Sequence, residues 1–479
     1  VTSLPATAPS VPVDEADKDL FISLYSTWEA KRPRNLLRTV YYEGKNALRD
    51  FGIAVPPQMQ TAFTPLQWIS KGVNSLTGRS AFEGFVSVDG SADPFGMGGL
   101  LADNHFFEEF PQAVTSSAIH ACAFLTVTAG DVDAGEPEVL ILARSADSSA
   151  AVWDKRRRAI AGFLSVISTD GGQPTEMVMY TPTRVYSFVR NSGKWSSAWI
   201  PNPLGEVSVA RVAYHPELNR PFGHSRVTRT AMGLTDAAVR TLLRAEVSAE
   251  FYSADKYWLF GANVTEFIGN DKWNALMGRM NAIDTEDGEE INIHRFSGAS
   301  PQPHAEQMRL IQSLFADDQN LDVKFSDASN PSSADAIYAA KEDLIMDVRD
   351  ANRVWGRGAV KAFQLAVRLR DGLEAVPEEL RTLSAQFTDP AIVSPSARAD
   401  AFSKLSTSIT GFGESEVGME YAGLSREQIA RFMAEKRRAE AGSRLTQLVE
   451  AARGLRNGNS ATGGGVPGGD VVAGTPGAA

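Results

Sequence analysis

Residues 332–372, SSADAIYAAKEDLIMDVRDANRVWGRGAVKAFQLAVRLRDG, are the stretch whose reading decides the fold. Ile337, Leu344, Val348, Ala351, Trp355, Ala359, Phe363 and Ala366 follow one another at steps of three, four or seven, which puts them on one helical face. Pro331 stands just ahead, and Ser332 with Asp335 makes an S-x-x-D start whose side-chain oxygens can accept from the first free backbone N–H groups. Gly372 and then Pro377 mark the far end. At about 1.5 Å per residue, a helix over 333–372 is roughly 58 Å long. Gly356 and Gly358 each cost about 1 kcal/mol against alanine in mid-helix and allow a kink there. Taken alone, this is the long core helix of an α+β protein.

The chain around it has 479 residues, enough for a large core and about three domains. A hydrophobic share of 43% with 22% charged residues is that of an ordered globular protein. The formal charge of −11 argues against gripping nucleic acid over the whole surface, because tight binding needs Lys and Arg to neutralise phosphates. Cys122 is the only cysteine, so no intrachain disulfide and no thiolate metal cluster can form; within an apolar, β-branched run it reads as a core thiol. No run of eighteen apolar residues is present, so no membrane partner is expected. Residues 1–18 lack the basic and apolar regions of a signal peptide and read as a flexible arm, and the Gly-rich residues 457–479 as a disordered tail.

Between these ends, 19–51 reads as helix with Pro33 as a break. Leu66–Leu76 follows with Leu66, Ile69, Val73 and Leu76 on one face, then a strand over 82–89 and a helix over 101–114. Six short strands come next, at 121–128, 139–143, 160–168, 176–181, 184–189 and 207–213. Helices before strands imply an α+β region. The text turns helical again after 226, with Val227, Ala231, Leu234, Ala238, Leu242, Ala245, Ala249 and Tyr252 in one row. Beyond a small region with a strand over 291–296, further helices are expected over 303–315, 396–409 and 425–455, the last opening on a Ser425–Gln428 box and carrying Ile429, Phe432, Leu445 and Leu448.

Motifs for chemistry are scarce. The six histidines show no zinc-ligand spacing, and there is no phosphate loop, nucleophile elbow or dinucleotide fingerprint, so no cofactor is expected. The acidic run 284–290 lacks the alternation of a calcium loop. Asp317, Asp318 and Asp322 would suit a metal-dependent nuclease, but no other nuclease motif accompanies them.

At residues 215–263 the chain resembles the portal proteins of siphovirus-type tailed bacteriophages. The R-P-x-G-x-S turn is Arg220, Pro221, Gly223 and Ser225; the D-A-x-x-R element is Asp236, Ala237 and Arg240; an aromatic segment runs from Tyr257 to Gly261. Tyr42-Glu43-Gly44, Trp68 through Arg79, 330–345 and 387–405 agree with the same pattern, so the resemblance covers roughly 18–455. It implies a non-enzymatic subunit with an α+β wing over 19–225 and a first stem helix over 226–253. A small α/β clip over 254–300 and a second stem helix over 301–317 follow. A channel loop over 318–332, a long wing helix over 333–372 and a helical crown over 373–456 complete it. The function implied is a homo-oligomeric ring, usually of twelve subunits, at one vertex of the virion capsid. Double-stranded DNA, held non-specifically, is packaged through it by the terminase large subunit and later ejected. A head-tail connector docks on it, and major capsid and scaffolding proteins are further partners, with assembly in the host cytoplasm. A DNA-processing nuclease using the acidic loop is the alternative.

The resemblance also nominates residues. A channel loop carrying Asp318, Gln319, Asn320, Asp322, Lys324, Ser326, Asp327 and Asn330 is weakly charged to acidic, and such a wall lets DNA slide because every neutralised phosphate would add affinity. Asp284, Glu286, Asp287, Glu289 and Glu290 are candidate clip contacts for the motor and connector. Arg240, Arg244, Glu246 and Glu250 are candidates for the head-to-tail contact between stems.

Overall fold

The computed structural model describes residues 8–46, 65–87, 93–252, 256–260, 280–283, 292–296, 300, 302–321, 341–391 and 395–458. At its centre is the expected helix, which runs unbroken over Glu342–Asp371; the S-x-x-D start lies outside the described residues. Leu344, Val348, Ala351, Trp355, Ala359, Phe363 and Ala366 are all buried, as the spacing requires. Glu342 and Asp343 in the first turn and Arg368 and Arg370 in the last complement the helix dipole. Gly372 caps the end at φ 63°. The two mid-helix glycines are sites of close approach. A Cβ on Gly358 would stand 2.4 Å from the Arg211 carbonyl oxygen, and one on Gly356 would stand 3.0 Å from Ala385 Cβ.

What approaches there is a sheet. Strands Cys122–Ala129 (β2), Val139–Ser145 (β3) and Val209–Ala213 (β9) pair antiparallel in the order β3-β2-β9. β2 is covered on both faces, which explains its continuous apolar run. Ala123, Leu125 and Val127 face the long helix and helix Phe106–His120 (α4); Cys122 and Phe124 face a second sheet. That second sheet is a five-stranded antiparallel meander, β4 (Ser149–Asp154), β5 (Ala159–Asp170), β6 (Gln173–Tyr180), β7 (Arg184–Asn191) and β8 (Lys194–Pro201). Along β5, Phe163 points to β2 while Leu164 and Val166 point to helix Glu15–Tyr42 (α1). Phe21, Leu24, Tyr25 and Trp28 of α1 complete that layer. The order through these layers is therefore helix, sheet, sheet, helix.

Several expectations are corrected. α1 continues through Pro33, which is exposed, rather than breaking there. Residues 8–18 are not a loose arm, since Ala8, Val11 and Val13 pack on the α1 layer and the helix begins at Glu15. The expected strand at 82–89 is Phe82–Val86 (β1), and it pairs with Ser384–Phe387 (β13), a strand no sequence signal had marked. Helix 101–114 is two helices, Met97–Asp103 and α4, separated by His105 at φ 47°.

Beyond β9, helix Arg229–Tyr252 (α5) and helix Gln302–Asp318 (α6) pack together. Thr228 at the start of α5 donates to Asp318 at the end of α6, 3.2 Å away, so the two run antiparallel. Between them lies a three-stranded sheet, with Lys256–Phe260 (β10) parallel to Met280–Ile283 (β11) and antiparallel to Asn292–Phe296 (β12). The buried row of α5 is Ala231, Thr235, Ala238, Val239, Thr241, Leu243 and Val247; of the expected row Ala231 and Ala238 are buried, while Leu234 and Leu242 are half-buried.

Residues 392–479 form a second unit, whereas 373–391 belong with the first through β13 and buried Leu380 and Leu383. The second unit holds helices Pro395–Ser408, Glu416–Ala422 and Arg426–Gly458. Ser425 and Gln428 form the expected reciprocal cap, at 2.9 and 3.3 Å. Only Ile429 of that helix's expected apolar row is buried; Phe432, Leu445 and Leu448 are exposed.

Candidate functional site

The R-P-x-G-x-S turn links the sheets to α5. Gly223 has φ +76°, and a Cβ there would fall 2.0 Å from the Tyr214 carbonyl oxygen, so only glycine fits. The Ser225 hydroxyl donates to the Ile119 carbonyl and accepts from Val227 N–H at 3.0 Å. Thr228 then caps α5 by accepting from Ala231 N–H at 2.9 Å.

Between these two residues sits Arg226, 5% exposed. Its guanidinium fork donates from Nε to Gly72 O (3.0 Å), from Nη1 to Asp347 Oδ2 (2.6 Å) and Tyr214 Oη (2.9 Å), and from Nη2 to the Gln319 carbonyl. Gln319 answers by donating from Nε2 to Arg226 O at 3.2 Å. Asp347 lies on the long helix, and it also accepts from Tyr214 Oη (3.1 Å) and from His215 Nε2 (2.6 Å). Burial alone would raise the Asp347 carboxyl, but hydrogen bonds from His215 and Arg226 and the Arg226 charge outweigh it and hold it below the usual carboxylate range. The bond to Asp347 lifts His215, against the opposing effect of its half-burial. Burial pushes the Tyr214 phenol up.

This constellation has no nucleophile paired with a base. One buried guanidinium instead ties the roots of α5 and α6 to the long helix. At that helix's other end, buried Arg368 pairs with Glu206 and donates to Leu204 O (2.9 Å) and Glu374 O (2.7 Å). The cleft over His215, of about 500 Å³, is ringed by Glu217, Asp318, Asp343, Asp347 and Asp350. Among the described residues no three His, Cys, Asp or Glu side chains stand close enough to hold a metal ion.

Of the residues nominated for the channel, Asp318 and Asn320 are exposed at the end of α6. Gln319 is corrected: it is 3% exposed and faces Arg226, since it must satisfy backbone groups there. Asp322, Lys324, Ser326, Asp327 and Asn330 lie outside the described residues, as do Asp284, Glu286, Asp287, Glu289 and Glu290. Arg240, Arg244 and Glu246 are half-buried on α5, and the side chain of Glu250 is outside the described set. Sequence reasoning missed Arg226, Tyr214, His215 and Asp347. A carboxylate one residue before Val348, at the edge of an apolar face, was the available signal.

The sequence matches the family described as Phage portal protein, SPP1 Gp6-like over residues 23–441, and the chain belongs to that family. Its relatives include the portal protein of Mycobacterium phage D29, 28% identical over 80% of this chain and 81% of that one. The portal protein of Mycobacterium phage L5 is 25% identical, over 90% and 91%. A solved structure titled "Neck of native GTA particle computed with C12 symmetry" aligns with 82% of this chain and 97% of its own, at 14% identity and a TM-score of 0.38.

Proposed function

We propose that this chain is the subunit of a portal ring at one capsid vertex, the passage for double-stranded DNA during packaging and ejection. The observation that carries this is the family match, which reaches from within α1 to within the last helix. The antiparallel pair α5 and α6, with a small sheet at its tip and a clamp at its root, supports a stem and clip in that ring. On this reading the sheet end meets the terminase and later the head-tail connector, and segment 322–332 belongs to the channel. Twelve copies is the count the resemblance implies, with assembly in the host cytoplasm. Among the described residues no helix is long and apolar enough to cross a membrane.

Mass photometry with negative-stain microscopy of the purified protein tests this. Rings of about 620 kDa are expected from twelve chains of 51.7 kDa. A monomer that cleaves DNA in the presence of magnesium would overturn the reading in favour of the nuclease.

A further inference from the structure

A cavity of about 420 Å³ opens between α1, the start of β2 and the R-P-x-G-x-S turn. Lys31, Arg34 and Arg38, on one face of α1, and Arg220 from the turn line it, and the lining includes no aspartate or glutamate. Among the described residues none of these four cations reaches a carboxylate at ion-pair distance, in a chain whose net charge is −11. Burial and the neighbouring Arg34 charge lower Arg38 to about 10. Ser149, 5% exposed, lines the same cavity with an Oγ that has no hydrogen-bond partner. A cation cluster beside an orphaned hydroxyl calls for an anionic oxygen ligand. The volume is about fourteen times a water's share of liquid, which is more than one small ion fills. Duplex DNA, a stiff rod, would reach the rim and leave Arg38 and Ser149 unserved.

The complement lies on the same chain. The β2–β3 connection, DVDAGEPE over residues 131–138, carries four carboxylates and no cation. All four are exposed, and the loop is held in shape by Asp131 accepting from Ala134 N–H (3.2 Å) and by Glu136 accepting from Asp131 N–H (2.8 Å). It follows Ala129, while the cavity is at Cys122, so the two sit at opposite ends of β2, about 23 Å apart. The loop therefore cannot enter its own cavity.

We propose that the acidic 131–138 loop of one copy docks into the Lys31–Arg34–Arg38–Arg220 cavity of the next. Complementary patches at two ends of one subunit make a head-to-tail contact, the kind that closes rings. The inference rests on the ring reading and adds to it a wing contact separate from the stem helices.

Charge exchange tests it. Lys31→Glu, Arg34→Glu and Arg220→Glu change exposed rim positions only, and circular dichroism checks that the fold survives. This triple variant and, separately, Asp133→Lys with Glu138→Lys should each reduce the ring population about tenfold at moderate salt. Combining both sets should restore it. In a second arm, Arg34→Cys with Asp133→Cys, made together with Cys122→Ser because Cys122 lines the same cavity, should give an oxidant-dependent ladder of linked chains. Rings unaffected by either charge set would overturn the docking and leave the portal function standing. Losses that do not recover in the combined variant, without the ladder, would also overturn it. Rings kept while affinity for a short DNA duplex falls would assign the cavity to phosphate instead. Wild-type protein that forms no ring would overturn both readings.

Discussion

A buried guanidinium facing a buried carboxylate is costly to create and more costly to halve. The side chains of Arg226 and Asp347 are 4% and 7% exposed, so removing either partner strands a charge in the interior. Arg226→Met is expected to destabilise the protein by about 3–5 kcal/mol in urea unfolding, and Arg226→Met with Asp347→Leu by clearly less. Equal losses in the two would show that the pair is not an energetic unit. His215 adds a pH dependence whose sign follows from its raised pKa. Its contribution is complete below the unfolded value of about 6.5 and fades as pH rises through the higher folded value. Asp347, with a lowered pKa, contributes above the unfolded carboxylate value of about 3.9 and loses that contribution as pH falls through its folded value. The stability gap between wild type and His215→Gln should therefore be widest near about pH 5.5 and close toward about pH 9. A gap that does not change with pH would disconnect His215 from Asp347. Of this network only the carboxylate beside Val348 left a sign in the sequence; its pairing was not legible, because Arg226 and Asp347 are 121 residues apart and one sequence carries no sign of who meets whom.

At the scale of elements, the long helix was legible because one face carries apolar residues at every helical step. Trp355 is fully buried, its ring 6.0 Å from that of Tyr214. Trp355→Ala should cost about 3–5 kcal/mol, and a loss below about 1 kcal/mol would contradict that burial. Gly358 reverses the usual propensity argument. Alanine gains about 1 kcal/mol in a free helix, but here its methyl meets the β9 backbone, so Gly358→Ala should lower stability by about 1–3 kcal/mol. A more stable variant would show that β9 can yield. Elements with weak patterning were the ones missed. β8, with Trp199 and Ile200 exposed, is an edge strand without a buried face, and β13 is four residues long. The helix row of α5 was read only in part: Ala231 and Ala238 are buried as expected, but Thr235 is buried where Leu234 was expected, and Thr241 and Leu243 where Leu242 was expected.

For the whole molecule, the family was legible in the order of weak motifs, of which R-P-x-G-x-S places the turn ahead of α5. Gln319, nominated for the channel, is held by the clamp instead. A cut that spares the clamp must therefore begin after Leu321. Deleting 322–332 should leave ring formation intact by mass photometry and impair DNA packaging or retention in particles. Loss of the ring itself would make the segment structural.

The placement of the long helix also sets an order in time. The apolar face formed by Ala123, Leu125, Val127, Ala210 and Val212 is covered by a helix that begins at Glu342, about 130 residues after β9 ends. At ribosomal speeds of about 5–20 residues per second, the part of that face not already covered by α4, chiefly its β9 side, stays open for roughly 6–26 s. A polypeptide released early, before its last third is made, would present that face to its neighbours, so truncated products of this gene should be aggregation-prone and chaperone-bound.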